Sequence, residues 1–301
     1  MCLKNGIISQ IIPRRIPAYE KVTFLYDEKY SADSPDASAS AKDILSAETI
    51  RLFLPEKFRG IPVIFHDEID STNTEAKRLI SSGELRSDCL IAAASQTEGR
   101  GRMGRSFYSP SGTGIYMSLV LHPKAELSDS VSVTTMASVA VIRAIRSLTG
   151  LEAGIKWVND IYMNGRKVCG ILSEAVFGPE KDAAPFLIVG IGINVSTDVF
   201  PEELRGIAAS IGVQGLSRAE LAACSAAELL SLSADLSDRS YMDEYRACSL
   251  VLGHEITYTC GDTVRRAEAV GVDDSGGLMV LFPDGSSDTL RSGEISVRLT
   301  D

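Results

Sequence analysis

The sequence predicts an α/β protein in which helices flank a mixed, largely antiparallel sheet, followed by a small C-terminal β-barrel. Two patterns lead to this fold class. Up to about residue 248, apolar runs of strand length alternate with segments of helical periodicity. Beyond that point the apolar period becomes two, and about five short strands follow. The chain has 301 residues and 45% hydrophobic residues, enough for one large core and a small second domain.

We expect three parts along the chain. Residues 1–45 form a loosely structured extension, because residues 31–42 are a Ser/Ala/Asp-rich stretch of low complexity. Residues 46–248 form the main domain, and residues 249–301 form the small β-barrel. A barrel of about 50 residues is stable only when it docks on a larger domain.

The first half of the main domain is predicted to contain three strands and a helix. "IPVIFHDEID" (61–70) is a strand, and the helix that follows begins with a capping box from Thr72 to Glu75 and ends before Gly83. Residues 89–95 and 112–123 are further apolar runs of strand length.

The second half begins with a helix over residues 130–150, where apolar residues recur on one face up to Gly150. Asn164-Gly165 between two apolar runs predicts a β-hairpin over residues 161–177. Residues 185–196 are a central strand, and a helical region begins with a capping box at Ser217 and runs with interruptions to about Cys248.

Composition excludes several classes of function. A net charge of −10 argues against a protein that coats nucleic acid or anionic membrane. Six cysteines without CxxC spacing fit a reduced, cytoplasmic protein. We find no apolar run approaching the roughly 18–20 residues of a membrane helix. Three histidines that lie far apart give no support for a metal site.

The main anomaly is a loop that places Arg100, Arg102 and Arg105 among glycines in this acidic chain. It contains the pattern GxGxxG, but a strand rather than a helix follows, which argues against dinucleotide binding. The motifs of kinases and of Walker loops are absent from the sequence. Two interpretations remain: a solvated surface loop, or a lid that orders over a phosphate-bearing ligand.

Two further segments favour a ligand site. "KWVNDIYMNGRKVCGILSE" (156–174) places Lys156, Asn159, Asp160 and Lys167 around a strand end and a hairpin. Gly190 and Gly192 weaken a central strand unless something approaches its backbone closely. A solvated hairpin lysine and a β-bulge are the alternatives for these two observations.

The motifs together resemble a known family. "STN" (71–73), "QTEGRGRMGR" (96–105), "KWVNDIYMNGRKVCGIL" (156–172), "GIGIN" (190–194) and "SGEISVR" (292–298) occur in the order of biotin–protein ligases, within the biotin and lipoate ligase superfamily. The resemblance covers residues 45–301. It implies a class II synthetase-like catalytic domain with an SH3-like C-terminal barrel, in a form without the N-terminal winged-helix repressor domain.

The resemblance also implies a reaction in two steps. ATP, with its Mg²⁺, activates biotin to biotinyl-5′-AMP, and the biotin then passes to a lysine of a biotin carboxyl carrier domain. Lys167 and Arg102 are the implied catalytic residues. The implied biotin-binding residues are Ser71, Thr72, Asn73, Gln96, Gly99, Arg100, Gly101, Arg102, Lys167 and Gly170. The implied ATP-binding residues are Arg102, Arg105, Lys156, Trp157, Asn159 and Asn194; no protein ligand for a metal is identified.

Some positions depart from the family pattern. Val158 stands where the family usually has proline, Met103 where a second basic residue is common, and Phe107-Tyr108 where a tryptophan is usual. The alternative functions are a lipoate or octanoate ligase or transferase of the same fold, and an RNA-binding protein with an RG-rich loop. Residues 1–60 give no winged-helix pattern, so we expect no specific DNA binding, no membrane association, and a cytoplasmic monomer or weak homodimer.

Overall fold

The computed structural model describes residues 43–122, 130–179, 185–260, 263–291 and 295–297. The helices are α1 (Ala47–Phe53), α2 (Thr72–Ser81), α3 (Ser130–Thr149), α4 (Arg218–Leu232) and α5 (Met242–Ala247). The strands of the first sheet are β1 (Val63–His66), β2 (Cys89–Ala93), β3 (Gly114–Leu121), β4 (Gly154–Lys156), β5 (Asp160–Met163), β6 (Arg166–Val176) and β7 (Phe186–Asn194). The predicted extension lies almost wholly outside the described residues, and the division into three parts stays a prediction.

The first sheet has seven strands in the order β1-β2-β3-β7-β6-β5-β4. The pair β1–β2 is parallel and all other neighbours are antiparallel, so the predicted mixed, largely antiparallel sheet is confirmed. Strand β7 lies in the middle of the sheet, as its continuous apolar run predicts. In the hairpin between β5 and β6, Asn164 and Gly165 have φ of 50° and 72°, which is the left-handed geometry of a type I′ turn.

Helices cover both faces of this sheet. Helix α2 packs against one face, where its Ala76 and Ile80 meet Ile91 and Ile188. Helices α3 and α4 pack together on the other face, against residues such as Leu90 and Leu119. Residues 90 and 91 of β2 thus serve opposite cores, because successive strand residues point to opposite faces.

Helix α3 corrects one expectation about membranes. Residues Val131–Thr149 are long and apolar enough to cross a membrane by length and composition. In the described structure 72% of this stretch is buried. The alanines, valines and small hydroxyl residues of α3 therefore form a core helix between the sheet and α4.

The predicted capping box at the start of α2 is wrong. The N-cap is Ser71, one residue earlier, and its side chain makes no capping hydrogen bond. The N–H of Thr72, which lies in the first turn, instead donates to Gln96 Oε1 at 2.9 Å. A side chain from the loop after β2 thus supplies the acceptor for an orphan N–H of the first turn. At the start of α4 one of the two hydrogen bonds of the predicted capping box is shown, since Ser217 Oγ accepts from the N–H of Glu220.

The C-terminal part forms a second, antiparallel sheet of five strands. They are β8 (Glu255–Cys260), β9 (Thr263–Val272), β10 (Leu278–Leu281), β11 (Ser287–Leu290) and β12 (Ile295–Val297), in the order β11-β10-β9-β8-β12. Five short strands were predicted here and are present, whereas closure into a barrel stays a prediction. The sheet contributes Ile256, Ala267 and Val280 to the main hydrophobic core.

A buried arginine joins the first described residues to the main domain. Arg218, at the start of α4, has a side chain only 7% exposed. Its guanidinium forms an ion pair with Asp43 and donates to the Asp43 carbonyl at 2.8 Å and to the Gly114 carbonyl at 3.4 Å. The Asp43 carboxylate also accepts from the N–H of Arg218 at 3.0 Å. Residue 43 therefore belongs to the packed part of the chain.

We expect Asp43→Ala to lower the free energy of unfolding by about 1–3 kcal/mol, because it leaves the Arg218 charge buried without its partner. The Asp43 side chain is 36% exposed, so water screens part of its interaction with Arg218. A matched control is Glu202→Ala, since both side chains of the Glu202–Arg205 pair are mostly exposed. That change should cost at most about 0.5 kcal/mol. Urea denaturation measures both, and equal effects would contradict the anchoring role of Asp43.

Candidate active site

One cavity of about 370 Å³ gathers most of the residues that the sequence motifs indicate. It lies over β6 and β7, between the N-terminus of α2, the loop after β2 and the β4–β5 turn. Its lining includes the predicted site residues Ser71, Thr72, Asn73, Gln96, Arg100, Gly101, Arg102, Arg105, Lys156, Trp157, Asn159, Lys167, Gly170 and Asn194. Gly99 is the predicted site residue that does not line it.

The end of the cavity near α2 is polar and largely satisfied by its own hydrogen bonds. Gln96 accepts from the backbone N–H of Thr72 through Oε1 and donates to Ser109 Oγ at 2.9 Å through Nε2. Ser71, Thr72 and Asn73 are each at most 3% exposed. These groups form a preorganised polar wall that a ligand with its own donors and acceptors can use.

A hydrogen-bonded group of buried and half-buried side chains lies behind this wall. Ser118 Oγ, on β3, is 2.7 Å from Thr72 Oγ1 and 2.6 Å from Asn73 Oδ1. Asn73 Nδ2 donates to Glu174 Oε2 at 2.9 Å, and Lys77 pairs with the other oxygen of Glu174 at 2.7 Å. The sequence analysis did not identify Ser118, Glu174 and Lys77 as site residues. No spacing pattern along the chain indicates that β3, β6 and α2 lie together.

The arginine loop is internally hydrogen-bonded in the structure. The N–H of Gly101 donates to the Arg105 carbonyl at 2.7 Å, and the N–H of Phe107 donates to the Gly99 carbonyl at 2.8 Å. Arg102 Nη1 donates to Asn159 Oδ1 at 3.1 Å, which ties the loop to the β4–β5 turn. A Cβ at Gly99 would lie 2.3 Å from the Phe107 carbonyl, so this glycine serves the fold of the loop.

Lys167 lies on β6, close to the hairpin turn, and its ammonium group is held in place. Its Nζ lies 2.6 Å from Asp160 Oδ1, on the neighbouring strand β5. Its backbone N–H donates to the Ile207 carbonyl and its carbonyl accepts from the N–H of Ala209, both at 2.9 Å. The lysine therefore projects from a strand bonded on both sides, as the hairpin position predicts.

The strand glycines make room for side chains of the protein itself. A Cβ at Gly190 would lie 2.2 Å from Asn73 Oδ1, and a Cβ at Gly192 would lie 2.5 Å from the Phe107 ring. Gly170 pairs with Gly192 across β6 and β7, and its Cβ would meet Lys167 and Phe107. The expected close approach to the backbone is confirmed, and the bulge alternative is wrong because β7 keeps its register with β3 and β6.

The side of the cavity near the β4–β5 turn carries the predicted nucleotide-binding residues. Trp157 Nε1 donates to the Gly276 carbonyl of the second sheet at 2.8 Å, and the Trp157–Val158 peptide is cis. Asn159 Nδ2 donates to the Ile171 carbonyl at 2.8 Å. Asn194 Nδ2 donates to the Ala209 carbonyl, whereas its buried Oδ1 has no hydrogen-bond partner among the described residues. Asn194 therefore keeps one acceptor available for a ligand.

Cationic side chains outnumber acidic ones in the described lining of the cavity. Arg100, Arg102, Arg105, Lys156 and Lys167 line it, whereas Asp160 is the one acidic residue among its described lining. In the described part of the chain, no group of three or more His, Cys, Asp or Glu side chains could hold a metal ion. The cavity thus combines hydrogen-bonding groups with cationic groups, and it suits a polar ligand that carries an anionic group.

Comparison with known proteins agrees with this geometry. Residues 65–194 match the biotin/lipoate A/B protein ligase family. The bifunctional ligase/repressor BirA of Bacillus spizizenii is 34% identical over 251 residues, covering 80% of this chain and 76% of that protein. The biotin–[acetyl-CoA-carboxylase] ligase of Paracoccus denitrificans is 32% identical over 232 residues, covering 72% of this chain and 92% of that protein.

A solved structure matches as well. The biotin protein ligase of Aquifex aeolicus in complex with biotin and ATP aligns with a TM-score of 0.65 and 29% identity, over 79% of this chain and 99% of that chain. The fold and the cavity thus define an enzyme of the biotin/lipoate ligase class. Within this class, the chain belongs to the biotin protein ligase family.

Proposed function

We propose that the chain is an ATP-dependent biotin–[acetyl-CoA-carboxylase] ligase that makes biotinyl-5′-AMP and transfers biotin to a lysine of a biotin carboxyl carrier domain. One observation carries this function: a single cavity is lined by both a hydrogen-bonding wall and five cationic side chains. The wall suits the ureido ring of biotin, and the cations suit its carboxylate and the phosphates of ATP.

In the first step the biotin carboxylate attacks the α-phosphate of ATP, the bond to the β-phosphate oxygen breaks, and pyrophosphate leaves. Two anions have to be brought together, so fixed cations are needed where charge develops. Mg²⁺ enters with the triphosphate as part of the substrate. Asp160, the acidic residue in the described cavity lining, is already paired with Lys167.

Lys167 is positioned to act on the reacting groups. In the described structure its ammonium group is compensated by Asp160 at 2.6 Å, with side chains 27% and 25% exposed. Asp160 fixes the lysine on the cavity floor, while the other hydrogens of the ammonium group stay available to a carboxylate or a phosphate oxygen. Lys167 thus stabilises the charge shared between the attacking carboxylate and the α-phosphate.

Arg100, Arg102 and Arg105 form the cover of the site. Their loop joins the polar wall at Gln96 to the nucleotide side through the Arg102–Asn159 hydrogen bond. A closed loop excludes water from the adenylate, a mixed anhydride that water hydrolyses. In the second step the carrier lysine amine attacks the acyl carbon and AMP leaves.

The polar wall distinguishes biotin from lipoate. A lipoyl or octanoyl chain needs an apolar slot, whereas Ser71, Thr72, Asn73 and Gln96 fill this end of the cavity with hydrogen-bonding groups. Burying these groups against hydrocarbon would leave donors and acceptors without partners, which costs about 1–3 kcal/mol for each. The site therefore favours biotin over lipoate or octanoate as the substrate.

Three further properties are part of the proposal. The enzyme acts in the cytoplasm, consistent with the buried α3 and with the free cysteines Cys89, Cys169, Cys224 and Cys248. It works as a monomer or weak homodimer. It does not bind DNA specifically, because residues 1–60 lack a winged-helix pattern.

We expect Lys167→Ala to lower biotin-dependent ATP–pyrophosphate exchange by roughly 10²–10³-fold, the usual cost of a lost preorganised charge donor. Lys167→Arg should fail as well, because a planar guanidinium does not replace a compact ammonium group. Arg166→Ala, one residue away on the same hairpin and exposed, is the matched control and should keep its activity. Exchange near the wild-type rate in Lys167→Ala would refute the assignment.

The loop over residues 97–112 should be cut by trypsin after Arg100, Arg102 or Arg105 in the free enzyme, because its arginines repel one another. Biotin with ATP should slow these cuts sharply, and lipoate with ATP should protect much less. Limited proteolysis mapped by mass spectrometry measures this, with the exposed Arg86 as the internal control site. Equal rates with and without ligand would make the loop a solvated surface segment.

The protein should give no sequence-specific footprint on its own biotin-operon promoter at physiological salt. Non-specific binding, if any, should weaken steeply as salt is raised, because it depends on counterion release. DNase footprinting from low to physiological salt checks this. A protected sequence that persists at physiological salt would show that the chain is also a repressor.

A further inference from the structure

Tyr245, on the short helix α5, is hydrogen-bonded to the β4–β5 turn although it is not among the residues that line the cavity. Its side chain is fully buried and belongs to the main hydrophobic core. Its phenol group donates to the Val158 carbonyl at 3.1 Å. Val158 stands between Trp157 and Asn159, which both line the cavity. A core residue is therefore one hydrogen bond away from the backbone that carries two cavity residues.

The Tyr245 phenol keeps its proton and so remains a donor. Burial raises the pKa of Tyr245 well above its usual range, and the nearby Tyr241 adds to this effect. The positive charge of Arg102 acts in the opposite direction without outweighing burial. The charge of this loop arginine thus reaches the phenol, which agrees with the hydrogen bond between Arg102 and Asn159.

The Val158 carbonyl has Tyr245 as its closer donor. Ser138 Oγ also donates to this carbonyl, at 3.4 Å, but the same hydroxyl donates to the Thr134 carbonyl at 2.9 Å. A hydroxyl group has one proton, so Ser138 serves one acceptor at a time. Val158 is buried, and a buried carbonyl needs a hydrogen-bond partner.

The hydrogen bond from Tyr245 acts on Asn159 through the peptide plane. The peptide group that contains the Val158 carbonyl also contains the N–H of Asn159, and its atoms are coplanar. Asn159 Oδ1 accepts from Arg102 at 3.1 Å, and its Nδ2 donates to the Ile171 carbonyl at 2.8 Å. Fixing the Val158–Asn159 peptide therefore fixes the amide that receives Arg102 from the arginine loop.

Helix α5 is itself held firmly. The Glu244 carboxylate accepts from Arg143 at 2.8 Å and from Arg146 at 2.9 Å, and both arginines lie on α3. Just after the helix, the Cys248 carbonyl accepts from the N–H of Ile155, on β4, at 2.7 Å. The phenol and the strand that leads into the turn are thus fixed to each other, as a preorganised site requires.

We propose that Tyr245 is a positioning residue for the nucleotide side of the site, because its phenol holds the Val158–Asn159 peptide and so presents the Asn159 amide to Arg102 and to the nucleotide. The inference rests on the proposed function and adds a residue that lies outside both the cavity and the sequence motifs. Among the described hydrogen bonds, none joins Tyr245 to the polar wall. Binding of biotin alone should therefore be independent of this phenol.

Tyr245→Phe tests the role, because it removes the hydroxyl group and keeps the ring in the core. In biotin-dependent ATP–pyrophosphate exchange at saturating biotin, the KM for ATP should rise on the order of 5–30-fold, the effect of a buried carbonyl that loses its donor. The dissociation constant of biotin without ATP, measured by calorimetry, should change by less than about twofold, as for independent sites.

Tyr241→Phe is the matched control. Its buried phenol lies one helical turn earlier and donates to the Ser132 carbonyl, on α3, also at 3.1 Å. Thermal melts should show that both variants are folded and lose similar stability. The KM for ATP in Tyr241→Phe should stay within about twofold of the wild type, because this hydrogen bond does not reach the β4–β5 turn.

A double variant identifies the route of the effect. Asn159→Ala removes the amide through which Tyr245 acts, so it should raise the KM for ATP by itself. Adding Tyr245→Phe to Asn159→Ala should then change this KM by less than about twofold, because residues that act in one chain of contacts are not additive.

Each outcome supports or overturns the inference. A folded Tyr245→Phe with the wild-type KM for ATP would overturn it, and so would an equal rise in Tyr241→Phe, which indicates general loosening of the core. Additive effects with Asn159→Ala, or an equal loss of biotin affinity, would also overturn it. A wild-type protein that catalyses no biotin-dependent exchange would instead refute the proposed function.

Discussion

The active site depends on keeping five cationic side chains together in a small cavity of an acidic chain. Like charges repel, and Arg100, Arg102, Arg105, Lys156 and Lys167 all line the same cavity. Among the described contacts, Lys167 pairs with Asp160, Arg102 donates to the Asn159 amide oxygen, and the Lys156 ammonium lies over the ring of Tyr162. A ligand that brings carboxylate and phosphate groups relieves the repulsion among the cations.

The central strand shows how the fold meets this demand. Strand β7 lines the cavity at Gly190 and Gly192, which have no side chains and leave space above the strand. Asn73 and Phe107 occupy the space that side chains there would fill. Gly190 therefore packs against Asn73 of the polar wall, and Gly192 packs against Phe107, which follows the arginine loop. Strand stability is lost at two positions and recovered by packing from both neighbouring elements.

Much of this was predictable from the sequence, and the failures have physical reasons. Period and turn residues predicted β1, β2, β3, β7, the C-terminal strands, α3 and the β5–β6 hairpin, because each is a local pattern, whereas the short strand β4 was not predicted. Local reasoning failed at the start of α2, where Gln96, distant in sequence, replaces the expected capping box. The local patterns did not indicate Ser118, Glu174 and Lys77 either, because these residues meet only when β3, β6 and α2 pack together. The sequence analysis indicated Gly170, which lines the cavity, but did not predict that the Lys167 side chain and the Phe107 ring pack next to it.

The two ends of the cavity depend on different kinds of support. The polar end is held by hydrogen bonds among side chains of the first sheet, α2 and the loop after β2. The nucleotide end reaches the second sheet, where the Gly276 carbonyl accepts from Trp157 Nε1. Gly276 itself packs closely on α3, since a Cβ there would lie 2.9 Å from Val131. A shift of the β9–β10 turn would thus move Trp157, so the position of this cavity residue depends on the second sheet.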